Sequence, residues 1–557
     1  MAMRLVWILG IVVLTQVPTG CYQRSPWGKC AFGGCLDETD SADGDNEPGG
    51  TGAPTTSTTT WDEPTGGAAS SASGGSGTEA TDAGELPPPV IADMTLNPTP
   101  VKSAGTLTVE VKLGDGGAEA VTITVDGGEP AALTPVGDGG ALFTGEIAVF
   151  GESWNGDHEV VAVAARGEEV SEPWSEWFTV EAPAAGSEAW LEKSQLVPSY
   201  GNAIDVDDQG DVLELFTHPT PNGQECYLRR RDETGASVWT GEVRWLAPFE
   251  DCVGEDVKFA PDGTIWALVN VYKNGLGRWQ LWHLDDDGMP LGQTPQIGSL
   301  THLGRGLDVN AAGDVLLCGT APATQDDDAW IRLQPAASVP WTVPWDYLNI
   351  EGIQHKFSER TQDCAFVEDR IVVVGEAWGP HEKEKPQEFQ RRGFVLELSL
   401  AAAKLAELVN SSTLAWHSDH TAVAPDGKGG YVAVGYNCEP KVTPCNDTEG
   451  ALRWFSLGAT ELRMQPVTGT SRLNDVTLSP AGYAVVAGTA MPTSEGFLAQ
   501  AWSSSEIGPI LHYQSMKTKL QSATGIAADP VGFIVVGGYF QEVDDTLVAG
   551  VAKLHPY

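Results

Sequence analysis

A chain of 557 residues has room for several domains, and its 65 glycines and 36 prolines point to strands and turns rather than long helices. With 76 acidic against 32 basic residues, the formal net charge is −44. A surface of that sign repels phosphate backbones and anionic headgroups, so nucleic acid is excluded as an expected partner and only a covalent anchor is expected to reach a membrane.

From the start of the chain, Arg4 precedes the apolar run Leu5–Leu14, which is too short to span a bilayer, and residues 1–20 read as a signal peptide. The segment closes with Val17-Pro18-Thr19-Gly20-Cys21, which resembles the bacterial lipobox apart from Pro18, where an aliphatic residue is usual. That resemblance implies a diacylglycerol on Cys21 and, with Tyr22 next rather than Asp, an exported outer-membrane lipoprotein. An ordinary signal peptide with a cysteine nearby is the alternative. Residues 21–88 form a low-complexity linker that from residue 36 is acidic at first and then rich in Thr, Ser, Gly and Ala, with no basic residue between Lys29 and Lys102. Such a stretch buries too little apolar surface to offset chain entropy, and the roughly fifty residues from 36 onward reach about 40 Å on average.

Residues 89–183 carry short alternating strands at Leu107–Val111, Val121–Val125, Leu142–Ile147 and Glu159–Ala164, separated by Gly/Asp turns and closed by Trp177-Phe178-Thr179-Val180. Their spacing suits a β-sandwich of about seven strands. Asn155-Gly156-Asp157-His158, leading into an alternating strand, resembles the immunoglobulin-like modules of bacterial surface proteins, which implies a spacer or stalk.

From residue 187 onward one pattern recurs at intervals of about fifty residues: an apolar strand, an acidic or Gly turn, and a Val-rich strand usually ending in Gly. The copies begin AIDVDDQGDVLELF at Ala203, DVKFAPDGTIWALV at Asp256, GLDVNAAGDVLLCG at Gly306 and DCAFVEDRIVVVG at Asp363. Three more begin TAVAPDGKGGYVAVG at Thr421, DVTLSPAGYAVVAG at Asp475 and GIAADPVGFIVVG at Gly525. A third strand follows each pair and a fourth follows most, the first of these expected at Ser237–Thr240. The expected fold is therefore all-β, a seven-bladed β-propeller over 187–557 preceded by the Ig-like sandwich. The last unit lacks a fourth strand, and segment 189–195, containing Ala189-Trp190-Leu191-Glu192-Lys193, is expected to supply it and close the ring. No GH…WD pair recurs, so this is not a WD40 array. The repeats resemble secreted β-propeller repeat lipoproteins of Gram-negative bacteria. That likeness implies surface-exposed binding or scaffolding and brings no active site with it.

Nine cysteines are present, and lipidation of Cys21 leaves an even eight. Spacing suggests Cys30–Cys35 and Cys438–Cys445 as small loops, and Cys226–Cys252 and Cys318–Cys364 as links between adjacent units, though spacing alone does not fix connectivity.

Motifs for chemistry are sparse: no GxSxG, HExxH, GxGxxG or P-loop occurs. The run Asp205–Asp211 looks like an EF-hand loop, but Gln209 occupies a carboxylate slot and Phe216 stands where the bidentate Glu belongs. Histidines instead gather in the loops assigned to one propeller face: His218, His302, His355, His381, His417 and His420, with Arg305, Arg360, Asp419, Arg472 and Asn474 as polar companions. The group His302, Arg305, His355, His417, Asp419 and His420 is the candidate ligand face, with unrelated exposed side chains as the plainer reading. No cofactor is expected, and a divalent metal at this face is the minor reading. The first functional expectation is a surface-anchored, non-enzymatic binding or scaffold protein that presents its propeller to a protein or glycan. The alternative is a propeller-fold enzyme acting on polysaccharide or using a quinone cofactor, and a buried cluster of paired carboxylates, or of Arg with Tyr, converging on the channel would favour it.

Overall fold

A computed structural model of the protein describes residues 87–556 except 115–116, 138, 240–243, 247–250, 274–275, 294–301, 323–326, 346–357, 383–384, 410–416, 439–447, 468–469, 491–496, 503–510, 514–519 and 543–545. Antiparallel strands dominate these residues, with one 3-10 turn at Glu152–Trp154 and no α-helix among them.

The first unit is a pair of antiparallel sheets. One contains Ile91–Asn97, Gly105–Leu113 and Leu142–Val149; the other contains Ala120–Val125, Gly156–Arg166 and Trp174–Val180. Every second residue of a strand faces the same side, so Leu107, Val109 and Val111 meet Val121, Ile123, Val160 and Ala162 in one core with Phe143 and Phe178.

Among the described residues, seven four-stranded antiparallel sheets follow. Their inner strands, which define sheets 1 to 7, are Tyr200–Val206, Asp251–Phe259, Leu303–Val309, Ser358–Val367, His417–Pro425, Thr470–Leu478 and Leu520–Ala528. Each inner strand packs on the next, and that of sheet 7 packs on that of sheet 1, giving a closed cycle of neighbours. Sheets 1 to 6 each use consecutive strands. Sheet 7 draws its outermost strand, Glu188–Lys193, from far upstream and pairs it with Leu547–Leu554, placing Leu191 opposite Ala552 and Glu192 opposite Val551. Apolar side chains fill the space between neighbours, for example Leu268 and Trp279 of sheet 2 against Leu307 and Trp330 of sheet 3.

The first fourth strand lies elsewhere than expected. Arg244–Leu246 forms it, while Ser237 makes only an isolated bridge to Arg231. Trp239 explains the shift: its ring is buried between sheets 1 and 2 and its Nε1–H donates to the Asp286 carbonyl at 2.8 Å, which draws this segment off the sheet edge.

Three local devices repeat around the cycle. The hairpin from first to second strand turns through a residue with positive φ in every sheet: Gly210, Gly263, Gly313, Glu368, Gly429, Gly482 and Gly532. Every inner strand also breaks register at one equivalent place, leaving Asn202, Glu255, Arg305, Gln362, Thr421, Asn474 and Thr524 as the extra residue of a β-bulge. The bulge accounts for the glycine that ends the repeat. In sheets 3 to 6 a Cβ on Gly319, Gly375, Gly435 or Gly488 would collide with the carbonyl oxygen of Leu303, Arg360, Asp419 or Arg472, two residues before the bulge. Where the second strand carries Phe216 or Val269 instead, the residue opposite is itself glycine, Gly201 or Gly254. In sheet 7 the glycine at this register is Gly538, one residue beyond the Gly537 that the repeat pattern suggests.

Two disulfides tie neighbouring sheets. Cys226–Cys252 joins sheet 1 to sheet 2, and Cys318–Cys364 joins sheet 3 to sheet 4. Cys438 is also disulfide-bonded. Cys21, Cys30, Cys35 and Cys445 lie outside the described residues.

Candidate functional site

The inner strands of all seven sheets line a central cavity of about 170 Å³. Five aspartates face it, at two alternating positions after the bulge: Asp205 and Asp308 three residues on, Asp256, Asp363 and Asp475 one residue on. Each accepts a backbone N–H from the following sheet. Asp205 takes Phe259 N at 2.8 Å, Asp256 takes Leu307 N at 3.0 Å and Asp308 takes Phe366 N at 2.7 Å. Asp363 takes Val423 N at 3.0 Å and Asp475 takes Ile526 N at 2.9 Å. At the two remaining junctions hydroxyls do the linking, Thr421 donating to Leu473 O at 2.7 Å and Thr524 to Gly201 O at 2.9 Å. These are inter-sheet staples that satisfy backbone N–H groups, and at the two threonines backbone C=O groups, left over where two sheets meet without a shared ladder.

Lys258 lies among these aspartates, 3.7 Å from Asp205. Burial would lower its ammonium pKa, but Asp205, Asp256, Asp308 and Asp475 outweigh that and raise it. Burial pushes the Asp308 carboxyl up to about 6 despite Lys258 and two backbone N–H donors.

A different arrangement occupies the rim, in the row two residues before the bulge. There sheets 4, 5 and 6 carry Arg360, Asp419 and Arg472, and the paired second-strand residues, one past the conserved-register glycine of each sheet, are Glu376, Tyr436 and Thr489. Arg472 pairs with Asp419 at 3.1 Å, Arg391 with Glu376 at 3.6 Å, and Arg360 with Asp327 at 3.1 Å and Glu376 at 3.9 Å. Tyr436 sits at the middle. Arg391 Nη1 reaches its hydroxyl at 3.5 Å, and the Arg472 guanidinium lies over its ring at 5.7 Å. Arg391 also stacks on Trp378 at 4.8 Å. Burial, together with Asp419 and Glu376, lifts the Tyr436 phenol to about 12, so it stays protonated at neutral pH.

Burial is graded across this rim. The Glu376 and Asp419 side chains are only 6% and 2% exposed, whereas Arg360, Arg391 and Arg472 are 39%, 36% and 20% exposed. Glu376 and Asp419 thus lie deeper than the guanidiniums they pair with, while Asp327, the closer partner of Arg360, is itself 31% exposed.

The residues expected to form the ligand face are distributed differently. Asp419 is on the rim. Arg305 instead pairs with Glu255 at 2.9 Å, and His302 sets its ring edge-on to Trp330. His420 is in the interior, 2% exposed, with Nδ1 3.1 Å from the Phe394 carbonyl. Burial, reinforced by the charge of Arg453, depresses its pKa to about 3, so it remains neutral. His355 lies outside the described residues, and His417 is placed only by its backbone, at the start of the sheet 5 inner strand. Among the described residues no group of three or more His, Cys, Asp or Glu is arranged to hold a metal ion. In the EF-hand-like run, Asp207 caps its own turn through Gln209 N and Asp211 N, and Arg230 bridges Asp207 and Asp211.

Sequence reasoning placed Asp419 on the candidate face, named Arg360 and Arg472 only as companions, and missed Glu376, Trp378, Arg391 and Tyr436. The available signal was the residue after the repeat glycine, Glu376 in Gly-Glu and Tyr436 in Gly-Tyr.

No protein-family model matches the chain, and no curated protein sequence does. Among solved structures, it is similar to the polysaccharide lyase Uly1 at 10% identity, covering 64% of this chain and 90% of that one, with a TM-score of 0.41. A subtype N10 neuraminidase-like protein of A/little yellow-shouldered bat/Guatemala matches at 9% identity over 65% and 99% of the two chains, TM-score 0.33. Drosophila Semaphorin 1b, extracellular domains 1–2, matches at 8% over 66% and 87%, TM-score 0.39. At such identities the likeness concerns fold alone: all-β, many small antiparallel sheets, β-propeller-like.

Proposed function

We propose that this is an exported binding protein in which a seven-bladed β-propeller, closed by its upstream strand, presents a ligand face on the rim of sheets 4 to 6. The Ig-like sandwich and the linker act as spacer, and lipid on Cys21 acts as anchor. Disulfides between neighbouring sheets support an oxidising compartment. The observation that carries the binding role is the row Arg360, Arg391 and Arg472, held from behind by Glu376 and Asp419 around Tyr436. Guanidiniums fixed this way meet a ligand with little reorganisation. A protein or glycan is the partner class.

A second reading, a propeller enzyme acting on polysaccharide, is favoured by the same Tyr436 hydroxyl, which is protonated and lies next to Arg391. One experiment separates the two. The full chain is isolated from membranes, its N-terminal lipid verified by mass, and incubated with printed protein and glycan panels. Retention of a ligand without product release supports the binding role; release of shortened saccharide supports the enzyme, and capture of nothing removes both.

A further inference from the structure

The rim site has a ligand chemistry of its own. We infer that it binds the carboxylate of an acidic saccharide, with a sugar face against Trp378 and the carboxylate against Arg391 and its neighbours Arg360 and Arg472. The inference rests on the binding role proposed above and specifies its ligand.

Three observations converge on it. The first is charge order: in a chain of net charge −44, Arg391 and Arg472 are more exposed than the carboxylates they pair with, Glu376 and Asp419, so at these two arginines an anion meets positive groups first. The second is rigidity. Each guanidinium is held by at least one carboxylate, which fixes the orientation of a planar fork of N–H donors, the geometry that matches a planar anion. The third is Trp378. Its side is 37% exposed, it is stacked by Arg391 at 4.8 Å, and it lies beside Tyr436 through that same arginine. An indole face suits the C–H face of a pyranose, and a tryptophan next to a guanidinium matches a ring bearing a carboxylate better than a bare phosphate or a neutral glycan.

The test uses the full chain and oligomers of galacturonate, alginate and hyaluronan, each beside its carboxyl-methyl ester, with affinity followed by calorimetry at two salt concentrations. The expected result is binding of at least one acid form, weakened at high salt, with a loss of about tenfold or more on esterification or in Arg391→Ala. Arg391→Lys should recover only part of the affinity, because an ammonium lacks the fork, and Trp378→Ala should weaken acid oligomers while leaving the melting temperature near wild type. Equal binding of acid and ester overturns the carboxylate assignment but leaves a glycan-binding protein. Binding unchanged in both Arg391→Ala and Trp378→Ala moves the site elsewhere. If none of the three acid oligomers binds while the protein panel yields a partner, the saccharide assignment fails and the binding role stands.

Discussion

The central cavity and the rim are built from the same acids and bases a few residues apart on the same strands, yet they do opposite things. In the cavity the aspartates face the open space and spend their oxygens on N–H groups of the next sheet, as Asp363 does with Val423. On the rim Glu376 and Asp419 are buried and the arginines they pair with are the more exposed partners, as Arg472 is over Asp419. Charge type alone therefore does not mark a site here. The partner that occupies each carboxylate, and the side from which it does so, separates a structural staple from a binding surface.

Substitutions should break that contrast in graded steps. Asp363→Ala removes the acceptor of both Cys364 N and Val423 N. Stranding two N–H groups at a sheet junction should cost about 2–4 kcal/mol of stability, read by chemical denaturation, with rim binding otherwise unchanged. A loss no larger than that of the exposed-pair variant Lys112→Ala, about 1 kcal/mol or less, would erase the distinction.

Lys258→Met takes the cation from among the cavity carboxylates. The Asp308 carboxyl, raised to about 6, already binds protons more tightly in the folded chain than a free carboxyl does at about 4, so its contribution is present at low pH and fades as pH rises through about 6. Without Lys258 that loss should grow. Melting curves should show the variant close to wild type near pH 5 and clearly lower near pH 8, and a pH-independent offset would count against the reading.

At neutral pH the smallest effect is expected at His420, whose contribution changes only as the solution is acidified. Its pKa of about 3 lies below the unfolded value of about 6.5, so the folded chain gives up stability as pH falls between those values. His420→Gln keeps a polar amide there but does not titrate. Its acid-side decline should be shallower than wild type, and identical slopes would show that His420 does not contribute.

Much of the cycle is legible in the sequence because strand alternation and the Asx–Gly turns are local: Asp207, Asn310, Asp426 and Asp529 each accept N–H groups from their own hairpin. The bulge is not legible, since it is a relation between two strands rather than a residue type. It nevertheless explains the terminal glycine that made the repeat visible. The misplacement of His420 has the same origin. Adjacent residues of a strand point to opposite faces, so with Asp419 turned to the rim, His420 is turned inward against Phe394 and Phe455. The rim itself draws on Arg360, Glu376 and Arg391 from three strands of sheet 4 and on Tyr436 and Arg472 from two further sheets, and only the pairing register assembles them.

The pairing of Glu188–Lys193 with Leu547–Leu554 also has a temporal consequence. Ser199 and Ala549, hydrogen-bonded beside that pairing, stand 350 residues apart in sequence. A ribosome delivers the early partner long before the late one, so for most of synthesis the upstream strand is an unmatched template and sheet 1 lacks a neighbour on one flank. Completion of the circle therefore waits for Leu547–Leu554, and any helper that shields Glu188–Lys193 would act during that wait.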